Sequence, residues 1–108
     1  MYVEMVTMTV RPEDVEAFLA GRTTAMAAIQ ERYPDLRRAR LVRLDQHRWV
    51  DWVEWESLEQ AQTAAQDTPA IGPVAAWFGL IESVESMQHG EVVHRFGHDQ
   101  AATVAVGE

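Results

Sequence analysis

Residues 48–57 read "RWVDWVEWES" and hold three of the chain's four tryptophans, Trp49, Trp52 and Trp55. A spacing of three places side chains next to one another on a helix. Trp and Val, however, favour strands, and a helix here would carry polar groups around too much of its circumference. As a strand the segment divides by alternation: Trp49, Asp51, Val53 and Trp55 share one face, and Val50, Trp52 and Glu54 share the other. The tryptophans are then split between two faces, and Asp51 is a carboxylate set among apolar neighbours.

Outward from this strand, "RRARLVR" (37–43) reads as its hairpin partner across a turn near Asp45 to His47. "YVEMVTMTV" (2–10) is a third strand, ended by Arg11-Pro12. A helix follows from Pro12, with acids in its first turn and Val15, Phe18, Leu19, Met26, Ile29 and Tyr33 at helical spacing; Pro34 stops it. "SLEQAQTAAQ" (57–66) predicts a short helix capped by Ser57, with Gln60 completing a capping box. A second helical run, about 69–82, carries Ile71, Val74, Phe78 and Ile81 on one side. "SVESM" and "EVVHRF" around Gly90 predict a final, bulged strand. The order is β-α-β-β-α-β, an α+β, ferredoxin-like arrangement with a four-stranded antiparallel sheet and helices on one face. One domain spans residues 1–96, and 97–108 form a tail that is disordered or an edge strand.

That sheet is apolar on both sides. The first strand sets Val3 and Met5 on one face and Val6, Met8 and Val10 on the other. Helices enough for one face leave the second needing a partner, so a homodimer through the open sheet face is expected.

Composition narrows the function. The 108 residues include no cysteine, which removes disulfides and thiolate metal sites. Net charge is −8, with nine arginines and no lysine, and an acidic chain repels nucleic-acid backbones. No apolar run is long enough for a membrane span, and the start "MYVEMVTMTV" has neither a basic segment nor a small-residue cleavage site. A cytoplasmic protein is expected.

The strand "MTVRP", the helix "EDVEAFL" and the strand-to-helix run "VEWESLEQAQ" resemble the antibiotic-biosynthesis monooxygenase family over about residues 2–94, most specifically in "WES" at 55–57. The resemblance implies a dimeric α/β barrel, a pocket between the helices and the sheet of each subunit, and oxidation of aromatic molecules of polyketide, anthrone or quinol type by O₂ without a cofactor. The alternative it leaves open is a non-catalytic small-ligand-binding or accessory protein of the same fold. Many family members carry a His in the helix after "WES"; here Ala65 falls at about that place. The haem-degrading branch resembles an Asn on the first strand with Trp and His on the later helix, whereas this chain offers Val6, Thr7 and Trp77 without a His.

For such chemistry Trp49, Trp55, Trp77, Phe78, Met26 and Thr7 are the candidate pocket residues. Asp51 is the candidate base, because an apolar setting raises a carboxylate's pKa; the competing expectation is an ion pair with Arg43. Arg22, inside the apolar stripe of the first helix, is the candidate holder of a substrate oxyanion, or else a stem lying on the core edge. Glu4 and Glu54 are expected to be solvated or at a rim. His89, His94 and His98 have spacings of five and four, but alternation separates the first two and no carboxylate cluster joins them, so no metal site is expected. His89 remains a secondary candidate base if the bend at Gly90 turns it inward.

Overall fold

In the computed structural model, which describes residues 1–97, the alternating segments become strands and the periodic ones helices. The elements are β1 (Tyr2–Thr9), α1 (Val15–Arg32, entered by a 3₁₀ turn at Pro12–Asp14), β2 (Leu36–Arg43), β3 (Arg48–Trp55), α2 (Leu58–Asp67), α3 (Gly72–Phe78) and β4 (Ser83–Glu91). The sheet order is β2-β3-β1-β4, all neighbours antiparallel. This is the ferredoxin-like α+β fold, with an open four-stranded sheet.

Register fixes which side chains meet. In the central pair Tyr2 faces Trp55, Glu4 faces Val53, Val6 faces Asp51 and Met8 faces Trp49. These residues point to the helices. Val3, Met5, Thr7 and Thr9 point the other way, opposite Glu54, Trp52, Val50 and Arg48. The core lies on the helical side, where Met8, Val10, Phe18, Val74 and Trp55 are the largest fully buried side chains. Phe18 stacks on Trp77 at 4.8 Å and 13° between planes, and Trp77 Nε1 donates to the Phe18 carbonyl at 2.8 Å. These two contacts lock α3 onto α1.

The second helical run is shorter than its periodicity predicts. A 3₁₀ turn at Thr68–Ala70 and the Gly72-Pro73 step restart the chain, and α3 ends at Phe78, before Gly79. Ile81, expected on the helix, lies in the connection to β4. The last strand also differs. It ends at Glu91, so "EVVHRF" is mostly outside it, and the register shift falls opposite Thr7 and Met8 rather than at Gly90, which pairs regularly with Val3. The proposed boundary falls at 96/97; residues 98–108 of the expected tail, with His98, lie outside the described residues.

Ser57 caps α2 by accepting from the Gln60 amide at 3.2 Å, but the capping box does not close on itself. Gln60 Oε1 instead accepts from the Asp35 amide at 2.9 Å, while the Ser57 hydroxyl donates to the Asp35 carboxylate at 2.8 Å. The loop before β2 is thereby tied to the start of α2, and the end of α1 is joined to the end of α2 by Tyr33 donating to Asp67 at 2.6 Å. Both ties join the C-terminal end of α1 and the loop after it to the two ends of α2.

Candidate functional site

Between the helical layer and the sheet is a cavity of about 450 Å³, a size suited to small organic ligands. Small side chains make the room: Ala64 and Ala65 of α2 face bulky residues across it. Trp55, Trp77, Phe78 and Met26 wall the space, and Val6, Met8 and Val53 floor it. Half-exposed Val84 and Met87 on edge strand β4 mark its open side.

Two buried carboxylates reach this apolar space, Asp51 from β3 and Glu4 from β1. An unpaired buried charge is costly, and each is handled differently. Arg22 follows Phe18 by four residues and precedes Ala25 and Ile29 on the buried stripe of α1. It reaches the sheet and grips Asp51 with both terminal nitrogens, Nη1 to Oδ2 and Nη2 to Oδ1, each at 2.8 Å. The guanidinium also lies 5.9 Å from the Trp77 ring centroid. This bidentate geometry is the strong form of a carboxylate–arginine pair.

Glu4 meets an imidazole instead. His89 of β4 is its register partner, with Nε2 3.5 Å from the carboxylate. That is long for a hydrogen bond, and His89 Nε2 is buried without a hydrogen-bond partner. Burial pushes the Glu4 carboxyl above its ordinary range and the Asp51 charge adds to the rise; His89 and the nearby Trp55 indole N–H oppose it. The folded chain therefore holds this proton more tightly than the unfolded one. The group's stabilising contribution is complete below the unfolded-state value and is lost as pH rises through the folded one.

The expected pocket residues fall into two groups. Trp55, Trp77, Phe78, Met26 and Asp51 line the cavity. Trp49 does not: it is buried beside Phe18, ring centroids 5.7 Å apart, under the Arg43 guanidinium at 4.7 Å. Thr7 does not either, because alternation puts it on the open face of the sheet opposite Val50. Arg22 stands outside the cavity lining, behind Asp51, with both terminal nitrogens engaged there. The Asp51 partner is thus Arg22, not Arg43. Glu4, expected at a solvated rim, is 8% exposed and inside. Its signal was available in β1, where it shares a face with Val6 and Met8. Ala65, at about the place where the family resemblance implies a His, lines the cavity.

Fold and site together define a class: a small α+β protein with an apolar, acid-bearing cavity between sheet and helices. The chain belongs to the antibiotic biosynthesis monooxygenase family, which matches residues 1–77. Comparison with curated proteins gives no match. Among solved structures, a chain from Chloroflexus aurantiacus J-10-fl that bears the family's name is 17% identical, with a TM-score of 0.66 over 89% of this chain and 96% of that one. A dimeric ferredoxin-like protein from an uncultured marine organism is 16% identical, with a TM-score of 0.67 over 89% and 98%. A mutant MhuD with two manganese protoporphyrin IX molecules bound per active site is 23% identical, with a TM-score of 0.65 over 90% and 99%. At these identities the likeness is one of fold.

Because the Arg22–Asp51 pair is nearly buried, breaking it strands a charge. Asp51→Ala is expected to cost about 3 kcal/mol, whereas the double replacement Arg22→Met with Asp51→Leu returns to within about 1 kcal/mol of the parent. Urea unfolding of the three proteins checks this; additive losses would show that the pair is not coupled.

Proposed function

We propose that this chain is a small cofactor-independent monooxygenase acting on an electron-rich planar aromatic of polyketide, anthrone or quinol type. The observation that carries the reading is the cavity itself: aromatic and aliphatic walls, with buried carboxylates at its sheet side. Such a slot accepts a flat, weakly polar ligand, and a carboxylate gives it a place to lose a proton. Deprotonation turns an anthrone or quinol into an electron-rich anion that reduces O₂ itself. At a benzylic CH₂ the balanced change is CH₂ + O₂ → C=O + H₂O, in which carbon is oxidised and O₂ reduced.

Within this reading Asp51 is an orienting group. Arg22 occupies both of its oxygens from behind, and the remaining lone pairs facing the cavity accept a hydrogen bond from a substrate hydroxyl. Arg22 positions Asp51 rather than holding the substrate anion.

A haem-based reading is less well supported. Among the described residues lining the cavity there is no histidine to serve as an axial ligand, and His89 stands behind Glu4. The second reading is a non-catalytic binding protein. Ala65 favours it, because the helix offers the cavity no imidazole.

The same proposal includes a homodimer. The open sheet face exposes Trp52 and Val42 beside Met5, Val3 and Val50, and one structural neighbour is described as dimeric. No helix among the described residues is long and apolar enough to cross a membrane. A second copy of the chain is the occupant proposed for the open sheet face. Trp52→Glu is expected to halve the mass found by light scattering. An unchanged mass with intact fold would remove this interface.

Oxygenation is tested with chelator-treated protein and a hydroxyanthrone, following O₂ uptake and quinone absorbance. Uptake above a boiled control is expected, with Asp51→Asn raising KM about tenfold or more through loss of a charge-assisted hydrogen bond. Absence of catalysed uptake across anthrones and quinols would favour the binding-protein reading.

A further inference from the structure

Asp51 and Glu4 face the same cavity from adjacent strands, but only one of them is clamped. Asp51 is held by a guanidinium through two 2.8 Å bonds that engage both of its oxygens. Glu4 has no such clamp. Its ion-pair partner among the described residues is His89 at 3.5 Å, and that Nε2 has no hydrogen bond of its own there. A buried imidazole nitrogen left unsatisfied beside a buried carboxylate is a poor structural pair. Among the described residues it leaves the Glu4 carboxylate without a short hydrogen bond or a close cationic partner.

We propose that Glu4, with His89 behind it, is the group that takes the proton from a hydroxyl-bearing aromatic bound in the cavity. The inference rests on the reading of this cavity as an aromatic-ligand site and names the substrate class: the ligand must present an ionisable hydroxyl to β1. In the step, the substrate O–H bond breaks and an O–H bond to the Glu4 carboxylate forms. The substrate keeps the electron pair as phenolate or enolate, and nothing is oxidised. Charge is conserved inside the cavity, since one anion replaces another. The new carboxylic acid faces His89 on edge strand β4, whose side chain is 22% exposed. His89 is therefore the exit by which the proton reaches solvent, while Glu4 touches the substrate.

Three groups face Glu4 and set its titration: His89 from β4, Asp51 from β3 and the Trp55 indole N–H. Burial dominates them and raises the carboxyl above its ordinary range, which matches the acceptor better to a weakly acidic hydroxyl near neutral pH.

The test pairs turnover with binding. Wild type, Glu4→Gln and His89→Gln are assayed for hydroxyanthrone oxygenation across pH. Dissociation constants for a hydroxyanthraquinone and its methoxy analogue are measured by tryptophan quenching. Glu4→Gln is expected to lower kcat about 100-fold or more and to leave methoxy binding within about threefold. Wild type is expected to prefer the hydroxyl compound about tenfold, and Glu4→Gln to lower that preference about threefold or more, because one of the two carboxylate acceptors has been removed. Its melting temperature at pH 8 is expected to match or exceed wild type, where a structural ion pair would lose stability. His89→Gln is expected to retain partial turnover with a shifted pH profile. Unchanged kcat or unchanged hydroxyl preference in Glu4→Gln would overturn the proposal. If wild type does not turn over but its hydroxyl preference falls in Glu4→Gln, the oxygenase reading fails and Glu4 stands as the acceptor. If neither turnover nor a preference is found, both fail.

Discussion

The antiparallel register of β1 against β3 is the constraint on which the rest of the molecule depends. It commits Tyr2, Glu4, Val6 and Met8 and their partners Trp55, Val53, Asp51 and Trp49 to the helical side of the sheet. A slip of one residue would send all of them to the other face. Among these eight side chains are two carboxylates, and a core layer accepts a carboxylate only when something answers its charge. Asp51 is answered by an arginine reaching down from α1, which also fixes the helix over the sheet. Glu4 is answered by a more distant imidazole. The alanines of α2 then leave the space between the layers partly unfilled. Packing, charge and cavity thus follow from one pairing.

The strands and the first helix were legible because their periodicities are unambiguous. Alternation alone put Trp49, Asp51, Val53 and Trp55 on one face, and the structure buries all four. The partner of Asp51 was less legible. Arg43 is near it in sequence and one hairpin away, whereas Arg22 is 29 residues distant and reaches it only through the docking of α1. Local patterns do not encode that docking angle. Thr7 alternates with Val6 and Met8, and with those two inward it faces outward. Glu4 shares the inward phase of Val6 and Met8, which here outweighs the tendency of a lone acid to sit in solvent. The second helical run broke early because Gly72, Pro73 and Gly79 outweigh an apolar stripe of helical spacing.

Family membership and site chemistry answer different questions. The fold accounts for the existence of a cavity between sheet and helices, and neighbours at 16–23% identity share it. Chemistry depends on what the particular chain projects into that space. Here α2 places Ala65 at the cavity, and the two buried carboxylates come from the strands. A proton acceptor on β1 rather than on α2 would remove the substrate proton from the sheet wall of the cavity.

The central claim is that an aromatic ligand occupies this interior cavity, and filling the cavity tests it most directly. Ala65→Trp projects an indole into the space while leaving the sheet and the acids in place. Titration of the parent and this variant with a hydroxyanthraquinone, followed by quenching of tryptophan emission, is the measurement. One ligand per chain is expected to bind the parent, and the variant, still folded by circular dichroism, is expected to lose binding by tenfold or more. Unchanged affinity in the folded variant would place the ligand elsewhere and contradict the account.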